Sequence, residues 1–268
     1  MISLFRRKTK SYGNVLPITV DMHSHLLPGI DDGCKSFDES IELIKELVDL
    51  GYKKLICTPH IMGDFYRNTP KIILEKLDQL NDIIKQLGIN IELRAAAEYY
   101  LDESFIERIR KEEKLLCFGK EKYVLFETSY MNASPHIENT IFMLQSLGYT
   151  PVLAHPERYV YLFENYNKQL HKLHDKGVLF QVNINSLSGY YSRPSKKIAE
   201  YLIDEDLVSF LGTDMHGKRH FESLLKVEKQ IIIKKLYLKS CSTINFWKNR
   251  NQKNYISVSL SINAFAFQ

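Results

Sequence analysis

Seven times along this chain a short run of β-branched and apolar residues is followed by a stretch of helical period, and that alternation leaves few folds open. "ITVDMHS" precedes "SFDESIELIKELVDLGY", in which Ile41, Ile44, Leu47 and Val48 recur at three- and four-residue steps. "KLICTPH", "INIELRAAAEYY", "YVLFETSY", "PVLAHPERY", "LFQVNINSLSG" and "VSFLGTDMHG" each lead into a helical stretch in the same way. Ser36, with Glu39 three residues on, predicts a capped helix start; Pro70 and Gly88 predict both ends of the second helix. Strands that alternate with helices lie parallel and are joined by right-handed crossovers. "YVLF", "PVLA" and "VSFL" are apolar throughout, as strands covered on both faces are. The expected class is α/β. A closed or nearly closed β/α barrel accounts for seven such units, with a doubly wound open sheet as the rival.

No linker or low-complexity stretch interrupts the series, so one domain is expected over residues 18–239. Before it, residues 1–17 form a short basic extension whose "FRRKTK" reads as a frayed terminus. After it, residues 240–268 carry no helical period, and "SVSLSIN" alternates like an isolated strand with no evident role. A net charge of +4, from 36 basic and 32 acidic residues, is too balanced to argue for nucleic acid. There is no apolar run long enough to span a membrane and no secretory leader pattern. Cys34, Cys57, Cys117 and Cys241 are scattered without a C-x-x-C pair, which suits a reduced, cytoplasmic protein.

Position is the informative fact about the polar residues. Six of the seven predicted strands end in acidic or imidazole side chains: Asp21, His23 and His25; His60; Glu98; Glu127; His155; Asp214 and His216. In a parallel barrel the strand C-termini converge on one face, so these residues are expected to meet. The spacing of two within His23/His25 and Asp214/His216 puts both members of each pair on one side of a strand. So many buried carboxylates and imidazoles together are costly unless divalent cations join them. An all-nitrogen and oxygen set suits Zn, Mn or Fe(II), two or three ions being needed to use it. Three such ions against Asp32, Glu98, Glu127 and Asp214 leave a positive surplus that suits a dianionic phosphate monoester. Arg158 is then either a planar donor for phosphate or a structural ion-pair partner. His136, His171, His174 and His220 read as ordinary histidines, and Asp31 as turn chemistry. Spacing alone does not separate Asp31 from Asp32 as a ligand. Thiolate catalysis is disfavoured, because Ser40, Gly63, Tyr123 and Trp247 stand where a phosphate-loop arginine would follow each cysteine.

At "DMHSHLLPGIDDG", "CTPHIMGDFY", "AAAEYYLDE", "VLFETSYMN", "PVLAHPERY" and "LGTDMHGKRH" the sequence resembles the polymerase-and-histidinol-phosphatase (PHP) superfamily. Within it, the match is to capsular-polysaccharide tyrosine-protein phosphatases of the CpsB/CapC type. The resemblance implies a distorted seven-stranded (β/α)7 barrel and three divalent ions, with Mn2+ expected and Zn2+ or Fe2+ as alternatives. It assigns His23, His25, Glu98 and Asp214 to one ion and Asp32, His60 and His216 to a second. Glu98 as a bridge, with Glu127 and His155, would hold the third. It matches Arg158 to a phosphate-binding arginine and places a second on Arg219, with Lys218 adjacent. The implied partner is a phosphotyrosine protein, a membrane tyrosine autokinase of surface-polysaccharide export, met at the inner membrane face. The expected chemistry is in-line attack on phosphorus by a metal-bridging hydroxide. Tyr99, Tyr100, Tyr130 and Tyr159 are candidates for a rim that takes the phenyl ring. The alternatives are a small-molecule phosphomonoesterase of the histidinol-phosphatase type, a phosphodiesterase, and a metal-binding protein without turnover.

Overall fold

The computed structural model describes residues 18–228, so the basic extension, the expected domain end at residue 239, Cys241 and the tail with "SVSLSIN" lie outside the described residues. Its strands are β1 (Val20–Ser24), β2 (Lys54–Cys57), β3 (His60–Ile61), β4 (Glu92–Ala95), β5 (Glu98–Tyr100), β6 (Tyr123–Glu127), β7 (Thr150–Ala154), β8 (Leu179–Asn183) and β9 (Val208–Gly212). The helices are α1 (Phe37–Asp49), α2 (Pro70–Gln86), α3 (Glu103–Arg110), α4 (Ile137–Ser146), α5 (Tyr166–Asp175), α6 (Arg193–Asp204) and α7 (Lys218–Glu228).

Helix starts follow local chemistry. The Ser36 hydroxyl accepts from the Glu39 N–H, while the Glu39 carboxylate accepts from the Lys35 N–H. Thr69 caps α2 ahead of Pro70, and Asp102 caps α3 through the Phe105 N–H. Buried positions along α1 (Leu43, Ile44 and Leu47) and α2 (Ile73, Leu77, Leu80 and Ile84) keep the helical period and pack on the strands.

All strand pairs are parallel. The architecture is thus α/β as expected, but the hydrogen bonding does not form one closed seven-stranded ladder. It forms a three-stranded sheet, β1-β2-β4, and a six-stranded sheet, β3-β5-β6-β7-β8-β9. Two of the expected strands are each split. "KLICTPH" breaks at Thr58-Pro59, where proline has no N–H to give, and "INIELRAAAEYY" breaks at Ala96-Ala97. Single bonds span the breaks, Ala96 N–H to the Cys57 carbonyl and Glu98 N–H to the Pro59 carbonyl. At the other seam Ser24 bridges Met215, flanked by Asp214 N–H donating to the His23 carbonyl.

A small apolar cluster draws Met22 and Ile56 from the first sheet and Leu125, Val152 and Ala154 from the second, so the sheets face one another across it. Leu125 stands two residues before Glu127, and Ala154 one before His155. The interior therefore changes from apolar to polar toward the strand C-termini.

The close approach of β9 to β1 depends on Gly212. A Cβ there would stand 2.6 Å from His23 Cβ and 2.8 Å from Gln181 Nε2. Gly212→Ala is expected to lower unfolding free energy by about 1–3 kcal/mol, read from urea denaturation.

Candidate metal centre

The expected strand ends do converge. His23, His25, His60, Glu98, Glu127, His155, Asp214 and His216 are joined by Asp32, and together they form four overlapping groups. These are His25, Asp32, His60 and His216; His23, Glu98 and His155; His23, His25 and Asp214; and His60, Glu98 and Glu127. Within each group the donor atoms lie within 4.8 Å of one another. The partition differs in detail from the one the resemblance implies: His60 joins Glu98 and Glu127 as well as Asp32 and His216.

Distances inside the cluster are those of ligands sharing an ion. His23 Nε2 stands 3.2 Å from His25 Nε2, 3.2 Å from Glu98 Oε2 and 3.4 Å from Asp214 Oδ1. His60 Nε2 and His216 Nε2 each lie 3.4 Å from Asp32 Oδ1. Two atoms bound at about 2.1 Å to one cation are separated by roughly this much. Asp214 Oδ1 is buried without a hydrogen bond, as are His60 Nδ1 and His155 Nδ1. Buried polar atoms are normally paired. Of these three atoms, Asp214 Oδ1 and His60 Nδ1 face other donors of the cluster, an arrangement that fits divalent cations, and the donor set fits Zn, Mn or Fe(II).

Charge coupling accounts for the ionisation of the set. Burial raises the Glu98 carboxyl, but the His23 and His60 charges and the His155 hydrogen bond outweigh it and hold the group well below the usual range. Asp214 is likewise held low against burial, by His23, His216 and Arg158. His60 is raised well above its ordinary value, Glu98 and Asp32 overcoming the desolvation that lowers it. Two of the candidates sit in left-handed backbone, His155 at φ 33° and Asp214 at φ 51°. Such conformations are uncommon for side-chain-bearing residues and concentrate at functional sites.

The ambiguous aspartates separate cleanly. Asp31 turns back, its carboxylate 2.7 Å from His25 Nδ1 and accepting from the Gly33 and His60 N–H groups. It holds the ring so that Nε2 enters the cluster, an arrangement common around bound metals. Asp21, at the first strand end, stays out of the cluster. It accepts from Thr213 N–H at 2.9 Å and from the Thr213 hydroxyl, tying β1 to the end of β9. Burial pushes its carboxyl up to about 6 despite those bonds.

A cleft of about 500 Å³ opens onto the cluster. Arg158 reaches it from the turn Pro156–Arg158, paired to Asp214 Oδ2 at 2.7 Å. Its guanidinium lies 4.7 Å from the Tyr130 ring centre and 4.2 Å from that of Tyr191. Arg219 is exposed in the first turn of α7 and is not among the residues lining the cleft; Lys218 pairs with Glu46 on α1. His220, read from sequence as ordinary, does line the cleft, its ring 5.2 Å from that of His216. Burial brings its pKa down to about 4, so the ring is neutral. Of the candidate rim tyrosines, Tyr100 and Tyr130 line the cleft with Tyr66, which stacks on His60. Tyr99 and Tyr159 are core residues instead, stacked on Phe105 and Tyr161.

Residues 19–253 match the family described as "Capsular polysaccharide synthesis, CpsB/CapC". The chain belongs to this family. The CpsB/CapC assignment is repeated by individual relatives. Tyrosine-protein phosphatase YwqE of Bacillus subtilis is 32% identical over 216 residues, covering 79% of this chain and 84% of the relative. Tyrosine-protein phosphatase CpsB of Streptococcus pneumoniae is 30% identical over 221 residues, covering 81% and 90%. A solved structure, one of those described as YwqE and CpsB, "unique metal-dependent tyrosine phosphatases", superposes with a TM-score of 0.70. Its sequence identity is 31%, over 78% of this chain and 85% of that one.

Proposed function

We propose that the chain is a metal-dependent protein-tyrosine phosphatase of capsular or exopolysaccharide synthesis. The observation that carries this is the cluster of nine nitrogen- and oxygen-donor residues, all but Asp32 and His216 buried, at the base of a tyrosine-rimmed cleft. Family membership and the phosphatase relatives support it. His23, His25, Asp32, His60, Glu98, Glu127, His155, Asp214 and His216 would hold three divalent ions, manganese before zinc or iron(II). The ions supply Lewis acidity and an activated water when bound. The remaining work falls to this chain's own groups. Asp31 fixes the His25 ring, Arg158 offers the phosphate a charged donor already in place, and Tyr66, Tyr100 and Tyr130 take the phenyl ring. Arg219 would meet the phosphate only after its side chain turned inward. The seven-strand barrel count rests on reading β2 with β3, and β4 with β5, as single interrupted strands. The natural substrate is read as a membrane tyrosine autokinase, met from the cytoplasm at the inner membrane face; among the described residues no helix is long and apolar enough to cross a membrane.

Arg158→Ala is expected to lower kcat/KM for an aryl phosphate about 10- to 100-fold, the loss of one charge-assisted contact. Steady-state kinetics measures it. The function itself is tested by a substrate panel with the metal-loaded enzyme. Turnover of a phosphotyrosine peptide well above that of histidinol phosphate supports the reading. The reverse order makes the chain a small-molecule phosphomonoesterase.

A further inference from the structure

β8 brings neither an acid nor an imidazole to the strand C-termini, yet its two buried carboxamides touch the cluster on both sides. Gln181 Oε1 lies 2.8 Å from His23 Nδ1 and accepts from the His155 N–H at 3.2 Å. An amide oxygen only accepts, so the His23 proton sits on Nδ1. In the neutral ring, the form that binds a metal, Nε2 is thereby left with its lone pair, facing Glu98, Asp214 and His25. The Gln181 amide nitrogen donates to Asn183 Oδ1 at 2.9 Å, which fixes the orientation of both amides. Asn183 Nδ2 then donates to Asp214 Oδ2 at 2.7 Å. Arg158 at 2.7 Å and the Tyr191 hydroxyl at 3.3 Å donate to the same oxygen. With Oδ2 taken three times over, Oδ1 is the oxygen presented to the histidines.

We propose that Gln181 and Asn183 are positioning residues for the metal centre: Gln181 sets the His23 tautomer that leaves Nε2 free to bind, and Asn183 aims Asp214 Oδ1. This rests on the metal-centre reading given above. Neutral amides suit the task because the cluster already holds four carboxylates, and a fifth beside Asp214 would repel it. The pair is anchored from behind, where the Asn183 N–H donates to the buried Glu157 carboxyl at 2.9 Å.

The test is calorimetric titration of the chelator-stripped full-length protein with zinc and with manganese, beside thermal unfolding in chelator. Gln181→Met and Asn183→Leu, which also leave buried partners unpaired and so lower the unfolding midpoint in chelator, are expected to weaken metal affinity roughly 10- to 100-fold under conditions where the metal-free variant is still folded. Affinities within about twofold of the parent's overturn the proposal. Should a variant fail to fold, 15N spectra of histidine-labelled, zinc-loaded parent decide the matter. His23 protonated at Nδ1 is expected, and a proton on Nε2 or metal on Nδ1 overturns it. A parent that takes up no metal removes the metal-centre reading and this proposal together. Normal loading in both parent and variants removes this proposal alone.

Discussion

Replacing Glu98 by glutamine is expected to lower kcat/KM toward an aryl phosphate by about a thousandfold or more, on a chain that still folds. Glu98 is fully buried and touches four imidazoles drawn from both sheets and from the segments that follow their strands. Its Oε2 lies 3.2 Å from His23 Nε2, 3.3 Å from His25 Nε2 and 3.2 Å from His60 Nδ1, and its Oε1 is 2.9 Å from His155 Nε2. Glutamine keeps the shape, so the packing around β5 survives. It removes the negative charge that balances the cations, and it turns an N–H group toward atoms that must be bridged through lone pairs. Several kcal/mol of transition-state stabilisation by cations, at 1.36 kcal/mol per decade, gives the thousandfold figure. Steady-state kinetics, metal content by mass spectrometry and far-UV circular dichroism check it. Parental kcat/KM in a folded Glu98→Gln protein would contradict the assignment.

Chelation is expected to abolish turnover, manganese to restore it, and thiol alkylation of the native enzyme to leave it intact. Cys34 and Cys57 are fully buried. Burial pushes the Cys34 thiol up to about 12 and the Cys57 thiol higher still, so neither is a thiolate at neutral pH. Cys117 is partly exposed but precedes β6, at the end of the strands remote from the cluster. Activity lost to alkylation and unaffected by chelator would overturn the mechanism.

The chelated protein has its own pH signature. Burial lowers His23 and His60, but the carboxylates around them, Glu98 with Asp214 for His23 and Glu98 with Asp32 and Glu127 for His60, together outweigh it and raise both above 6.5 in the folded state. His216 is raised in the same way, by Asp214 and Asp32. Such groups contribute stability fully below the unfolded value of 6.5 and lose it as pH rises through the folded values. The unfolding midpoint in chelator should therefore fall as pH rises above 6.5. The metal-loaded protein, whose imidazoles are neutral ligands, should not show that fall. Thermal scans across pH, with and without chelator, make the comparison.

What could be read from the sequence is what depends on local chemistry and strand-end position. The Ser36 and Pro70 helix starts and the convergence of His23 with Glu98, His155 and Asp214 are of that kind. The Asp31/Asp32 choice is not, because adjacent residues in a turn point apart for reasons set by the fold: Gly33 packs against His25 so closely that a Cβ would lie 2.0 Å from the His25 carbonyl oxygen. The strand break after Ala95 depends on how two sheets meet, whereas Pro59 marks its own break in the sequence. Tyr99 was legible in principle. Glu98 and Tyr100 share one face of β5, so the two-residue period puts Tyr99 on the other, in the core. Gln181 and Asn183 carry no charge to mark them, and His220 lies beyond the strand that presents Asp214. None of the three positions stands out until the partners are placed.

Anomalous scattering from manganese-soaked crystals tests the central claim most directly. Ions are predicted among His23, His25, Glu98 and Asp214, among Asp32, His60 and His216, and beside Glu127 and His155. Ordered side chains at all of these positions with no anomalous peak between them would contradict the account.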